Sequence, residues 1–276
     1  MVLKEKTGKI GLFDSGFGGL AIMRAVANRL PLHDYIYLGD SANNPYGPRT
    51  TEEVYQLTQK AVSYLFSVGC ELVILACNTA SCQALGKIQQ EYLPRYAPSK
   101  RVLGVIFPAV EAAVQATQNN KIGVIATENT INSGVYVTEI QKLRPAATVY
   151  QQACPLLVPM IEGGSHASHG LQVVLRSYLQ PLQEARIDTL ILGCTHYELI
   201  KDKVTDIVGS SVRVVAEGPV VAARLADYLA RHPELEAVLS RQGQRQFLCT
   251  QAGHKTFDIL ASEFYGQQVT AQTVRL

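Results

Sequence analysis

Leu72-Val73-Ile74-Leu75-Ala76-Cys77-Asn78-Thr79-Ala80-Ser81 is a run of branched apolar residues that stops at a thiol, an amide and hydroxyls. A run of this length without polar alternation reads as a strand of a parallel sheet covered on both faces. The carboxyl end of such a strand is where open α/β sheets bind ligands. Leu190-Ile191-Leu192-Gly193-Cys194-Thr195-His196-Tyr197 repeats the arrangement. Two thiols in equivalent places point to acid/base chemistry from two sides.

The repetition reaches beyond the cysteines. Lys9-Ile10-Gly11-Leu12-Phe13-Asp14-Ser15 is matched by Lys121-Ile122-Gly123-Val124-Ile125-Ala126-Thr127, the stretch 34–40 more loosely by 147–154, and 105–108 by 215–219. The offsets run from 111 (Pro108 to Pro219) to 117 (Cys77 to Cys194). That period is too long for a solenoid and fits two copies of one α/β domain, with both thiols facing one cleft.

Working outward, strands and helices alternate, which implies parallel sheets. Strand Ile10–Phe13 enters the loop Asp14-Ser15-Gly16-Phe17-Gly18-Gly19, and a helix follows to about Arg29, ended by Pro31. Strand Tyr35–Leu38, helix Thr51–Phe66 and the Cys77 strand come next, then a helix to about Tyr92, strand Val102–Ile106 and a helix near Ala109–Thr117 before the second copy. The tail reads as strand Gln246–Thr250, helix Thr256–Phe264 and a short last strand.

The chain has 276 residues, 47% hydrophobic and without Trp, enough for one or two ordinary cores. A net charge of +2 without basic runs gives no sign of nucleic-acid binding. The first nine residues are polar, and no apolar stretch is long enough for a membrane, so a cytoplasmic protein is expected. Six cysteines (70, 77, 82, 154, 194 and 249) form no CxxC pair, which disfavours a disulfide framework and a structural zinc site. Cys77, Cys194 and His196 lack a clear fourth ligand for zinc.

Gly16, Gly18 and Ala21 also satisfy the GxGxxA form of a dinucleotide fingerprint, with Asp40 ending the next strand. Against that reading, Asp14 would crowd a pyrophosphate. The alternative is that the glycines bare N–H groups for a substrate carboxylate while Asp14 handles a proton or an ammonium. Asp40-Ser41 closes a strand where the cleft should lie. Cys77 stands at a helix start, where N–H groups and the dipole are expected to lower a thiol pKa, and His196 is two residues from Cys194 to hold or relay its proton. Cys70, Cys82, Cys154 and Cys249 lack polar escorts and read as inert. A non-catalytic amino-acid-binding protein would share the cleft without needing matched thiols.

DSGFGG, GDSANNPYG, ACNTAS and GCTHY, in this order, resemble the cofactor-independent glutamate racemases over essentially the whole chain. The resemblance implies two α/β domains with mainly parallel sheets flanked by helices, the active site between them, and a last segment that returns to the first domain. Domain A is then 1–101 with 214–276, and domain B is 102–213. It also implies interconversion of L- and D-glutamate, supply of D-glutamate for peptidoglycan, a cytoplasmic homodimer, and no pyridoxal phosphate or metal.

Carried over by motif, the resemblance makes Cys77 the base for D-glutamate, assisted by Asp14, and Cys194 the base for L-glutamate, assisted by His196. Substrate contacts fall on Ser15, Asp40, Ser41, Pro45, Tyr46, Gly47, Asn78, Thr79, Thr127, Thr130 and Thr195, and Glu162 is an acidic position near the second base. The chain departs from the family pattern at Asn129, where Gly, Ala or Ser is usual, and at Glu198, where Pro is common. Gly163–Gly170 looks like an inserted loop with two solvated histidines, His166 and His169. An aspartate racemase, whose pattern has an acid after Gly-Cys-Thr, is the near competitor.

Overall fold

The structure is a computed structural model and describes residues 7–164, 168–251 and 255–276; His166 lies outside them. Two parallel sheets carry the chain. The first contains β1 (Lys9–Asp14), β2 (Tyr35–Gly39), β3 (Cys70–Leu75) and β4 (Arg101–Gly104). The second contains β5 (Lys121–Ala126), β6 (Thr148–Ala153), β7 (Thr189–Gly193) and β8 (Arg213–Val215). The strand orders β2-β1-β3-β4 and β6-β5-β7-β8 are the same, so the repeat in sequence is a repeat in topology. From the tail, β9 (Arg245–Cys249) and β10 (Gln272–Thr273) extend the first sheet beyond β2.

The central strands are the apolar ones. β2 and β7 are buried along their whole lengths, and β1, β3 and β5 at all but one residue each. Helix Thr51–Ser67 opens on a capping box in which Thr50 and Glu53 exchange side-chain-to-backbone bonds. After β8 the chain crosses back, and helix Glu217–Arg231 packs on helix Gly19–Arg29. Gly218 permits that approach, because a Cβ there would sit 3.1 Å from the Ala25 methyl.

Two element boundaries differ from expectation. The helix after Cys77 is not continuous: it runs Asn78–Gln83, resumes at Leu85–Lys87, widens to a π-turn over Ile88–Tyr92 and ends at Tyr96. Pro94 lacks an N–H and its ring crowds the carbonyl four residues back, which favours such a wide turn. β4 stops at Gly104 and the next helix starts at Ile106, because Ser81 Oγ accepts from Val105 N at 3.4 Å while donating to the Leu75 carbonyl. Pro108 falls in the first turn of that helix, where no donor is needed.

Candidate active site

The facing carboxyl ends of the two sheets enclose a cavity of about 380 Å³ lined by Cys77 and Cys194. A larger hollow, about 610 Å³ around Phe107 and Arg224, contains neither of these thiols.

Cys77 follows β3 and caps helix Asn78–Gln83, its Sγ accepting from Ala80 N at 3.5 Å and lying 3.6 Å from Ser15 Oγ. It is 6% exposed. Burial, and then the charge of Asp14, push this thiol up to about 12, against the pull of the Ala80 and Ser15 donors. The expected lowering by the helix start is therefore outweighed by desolvation. Cys194 follows β7 and is 8% exposed. Burial pushes it well above the ordinary thiol value, opposed by the His196 N–H.

His196 sits between two groups: Nδ1 is 3.8 Å from Cys194 Sγ, and Nε2 is 2.9 Å from Glu162 Oε1. Asn44 Nδ2 donates to the same Glu162 oxygen at 3.0 Å. Burial alone would raise the Glu162 carboxyl, but the bonds from His196 and Asn44 hold it below its ordinary value. Phe17 and Phe264 meet the imidazole edge to face at 6.5 and 5.4 Å and fix the ring plane.

The glycine loop is covered where a dinucleotide would lie, and its Gly16 N–H is taken and not bare for a substrate carboxylate. Gly16 N donates to Asp14 Oδ2 at 3.0 Å, and Thr195 Oγ1 donates to Asp14 Oδ1 at 3.4 Å. A Cβ on Gly18 would strike Thr195 and come 2.9 Å from His196 Nδ1. The loop thus lets the Cys194 segment close directly over it, leaving no room for a pyrophosphate. Asp14 is fully buried, and burial raises its carboxyl above the ordinary value despite His196 nearby and the Gly16 and Gly19 donors.

Twelve of the expected residues line the cavity: Ser15, Pro45, Tyr46, Gly47, Cys77, Asn78, Thr79, Thr127, Glu162, Cys194, Thr195 and His196. The other four stand behind or beside it. Asp14 lies beneath the glycine loop. Asp40 is buried and accepts from Tyr46 OH at 2.7 Å, Thr250 Oγ1 at 2.7 Å and Asn43 Nδ2 at 3.0 Å, so it braces the loop that presents Pro45–Gly47. Ser41 Oγ accepts from Gln251 N at 3.2 Å, away from the cavity. Thr130 is buried behind Thr127 and Thr79, whose hydroxyls meet at 3.2 Å across the two sheets.

Sequence reading missed Asn44, whose part depends on a partner 118 residues away. It also passed over Cys154, which lines the cavity from the end of β6. Its position just before Pro155 at a strand's carboxyl end was the available signal. Asn129, the departure from the family pattern, donates to the Arg49 carbonyl at 2.6 Å and so ties the second sheet's loop to the Tyr46 segment.

Among the described residues, no group of three or more His, Cys, Asp or Glu is placed to hold a metal ion, and no helix is long and apolar enough to cross a membrane.

The sequence pattern of Asp/Glu/Hydantoin racemases matches residues 20–226. A glutamate racemase of Streptococcus equi subsp. equi is 35% identical, over 97% of this chain and 98% of its own. Two solved structures superpose over nearly the full length: a glutamate racemase isoform from Bacillus anthracis (TM-score 0.89, 31% identity, 99% of each chain) and a glutamate racemase from Francisella tularensis in complex with D-glutamate (TM-score 0.87, 30% identity, 98% of each chain). With the family pattern matched over residues 20–226 and relatives and structures matched over nearly the full length, the protein belongs to the Asp/Glu/Hydantoin racemase family.

Proposed function

We propose that this protein interconverts L- and D-glutamate by proton transfer between the substrate α-carbon and two cysteines, Cys77 and Cys194, without a cofactor. The observation that carries the proposal is that two thiols at matching strand ends of a duplicated fold line one small cavity. One thiolate takes the α-proton and becomes a thiol. The other thiol delivers its proton to the opposite face and becomes a thiolate, so the configuration inverts and the two protonation states exchange.

Burial pushes both thiols up, so one of them must give up a proton for the exchange to begin. On the Cys77 side, the Ser15 and Ala80 donors are placed to hold a thiolate, with Asp14 beneath as the nearby carboxyl. Across the cavity, His196 takes or returns the Cys194 proton while Glu162 steadies the imidazole. Ser15, Asn78, Thr79, Thr127 and Thr195 offer hydroxyls and an amide to the substrate carboxylates. Such neutral donors bind the ground state less tightly than a guanidinium and leave more discrimination for the transition state. Asp40, Ser41 and Thr130 then act by bracing the cleft walls.

On the same reading, residues 1–101 with 214–276 form one domain and 102–213 the other, as a cytoplasmic homodimer that supplies D-glutamate for peptidoglycan. Circular-dichroism polarimetry with D- and then L-glutamate, no cofactor added, tests the activity, with D- and L-aspartate run in parallel. Loss of optical activity with glutamate alone is expected. Loss with aspartate alone assigns the other substrate, and silence with all four rejects racemisation.

A further inference from the structure

Behind the Cys77 wall lies a buried carboxyl with neutral partners. Glu217 opens helix Glu217–Arg231 at the point where the chain crosses back from the second sheet to the first, and it is 4% exposed. It accepts a short hydrogen bond from Asn78 Nδ2 and another, at 3.3 Å, from Tyr136 OH. Asn78 Nδ2 also donates to Tyr136 OH at 3.0 Å, so the three side chains close a triangle. Its corners come from three places: the start of helix Asn78–Gln83, the helix Val135–Leu143 beside the second sheet, and the crossover.

Two buried atoms of the triangle lack hydrogen-bond partners, Asn78 Oδ1 and Glu217 Oε2. Leaving such atoms unpaired is costly, and proteins seldom retain them without a role. Burial pushes the Glu217 carboxyl well above its ordinary value and so favours its protonated form. A carboxylic O–H and an amide oxygen are complementary, and the existing Asn78–Glu217 bond already sets the two groups side by side. No step of the proton transfer uses this carboxyl, yet Asn78 lines the cavity next to Cys77.

We propose that Glu217 is a positioning residue: together with Tyr136 it holds the Asn78 side chain from behind, fixing the cleft wall beside Cys77 and locking that wall to the second sheet. The proposal rests on the racemase reading for its kinetic consequence. Its structural consequence, a single fixed orientation for the Asn78 amide, stands apart from activity.

The test compares Glu217→Ala, Glu217→Gln, Asn78→Ala and the double variant Glu217→Ala/Asn78→Ala. We expect Glu217→Ala to lower kcat/KM for glutamate about tenfold, mainly through KM, and Glu217→Gln to restore most of it, since Gln can still accept from Asn78 and Tyr136. The double variant is expected to be no worse than Asn78→Ala, because residues acting through one another do not add. A crystal structure of Glu217→Ala should show the Asn78 amide turned or disordered. Additive losses in the double variant, or an unmoved Asn78 in that structure, overturn the proposal. If Glu217→Ala does not fold, Tyr136→Phe removes one corner without leaving a large cavity and is judged by the same two criteria. A wild-type protein that racemises neither enantiomer of glutamate refutes the racemase reading instead, and the Asn78 orientation still decides the positioning role.

Discussion

His196 Nε2 and Glu162 Oε1 stand 2.9 Å apart, with the imidazole 4% and the carboxylate 24% exposed, so the pair joins a buried ring to the mouth of the cleft. The other ring nitrogen faces Cys194, which makes Glu162 the group that orients the imidazole. Replacing Glu162 by Gln keeps a hydrogen-bonding group and removes the charge. Racemisation is expected to slow about tenfold, equivalent to roughly 1.4 kcal/mol of lost stabilisation. Because the two enantiomers have equal free energy, kcat/KM must fall equally in both directions, and polarimetry from each side checks this.

That symmetry means single-thiol variants are better read by isotope exchange than by rate. In D₂O, Cys194→Ser is expected to exchange the α-hydrogen of D-glutamate without inverting it, and Cys77→Ser that of L-glutamate. Proton NMR of the α-position follows both. Exchange of the opposite enantiomer in each case would reverse the assignment of the two faces, and exchange of neither would remove the thiols from the chemistry.

Burial raises both thiols, Cys77 up to about 12. A base that must first lose a proton becomes more available as pH rises toward its pKa, so kcat/KM is expected to climb from pH 6 to about 9, by up to a decade per unit. A plateau below pH 7 would show that the resting enzyme already holds a thiolate.

Gly18 faces Thr195 and His196 so closely that a methyl has no space. Gly18→Ala should push the Cys194 segment away from Asp14, with an overpacking cost of about 1–3 kcal/mol. Calorimetry is expected to record a lower Tm, and activity should drop more than tenfold in protein that remains folded at assay temperature.

Glu217 gives a stability signature of its own. Its folded pKa lies well above the ordinary 4.5 because burial disfavours the charged form. The sign follows: the group's contribution is fully present below the unfolded pKa and is lost progressively as pH rises from there toward the folded pKa. Glu217→Gln cannot ionise, so between pH 5 and 9 its Tm should decline less with pH than that of the wild type. Parallel melting curves decide the point.

The central strands were legible because burial on both faces leaves nothing but branched apolar residues, and Leu72–Leu75 and Leu190–Leu192 show that directly. That one domain occurs twice followed from the similar offsets between copies, and the shared strand order agrees with it. What local sequence cannot disclose is where a donor points. Gly16 and Gly18 fit a phosphate loop by spacing, and only the fold shows the Gly16 N–H spent on Asp14 and Thr195 pressed against Gly18. Asp40 and Thr130, expected at the substrate, stand behind the cavity wall, since neither a strand-end position nor a motif resemblance fixes which way a side chain faces. Glu217 reads as an ordinary acidic helix start, and its link to Asn78 spans 139 residues.

The pairing of β2 with β9 joins Gly39 to Cys249. During synthesis the outer edge of β2 therefore waits while 205 further residues, from Asp40 to Gln244, are made before β9 begins. At about 5–20 residues per second that is tens of seconds with an apolar strand edge unpaired. The second sheet is complete at Val215, while the first still lacks β9 and β10. The order of emergence thus leaves the first sheet to be closed last, by β9 and then β10, and a nascent chain stalled before Arg245 keeps the β2 edge open to chaperones and to aggregation.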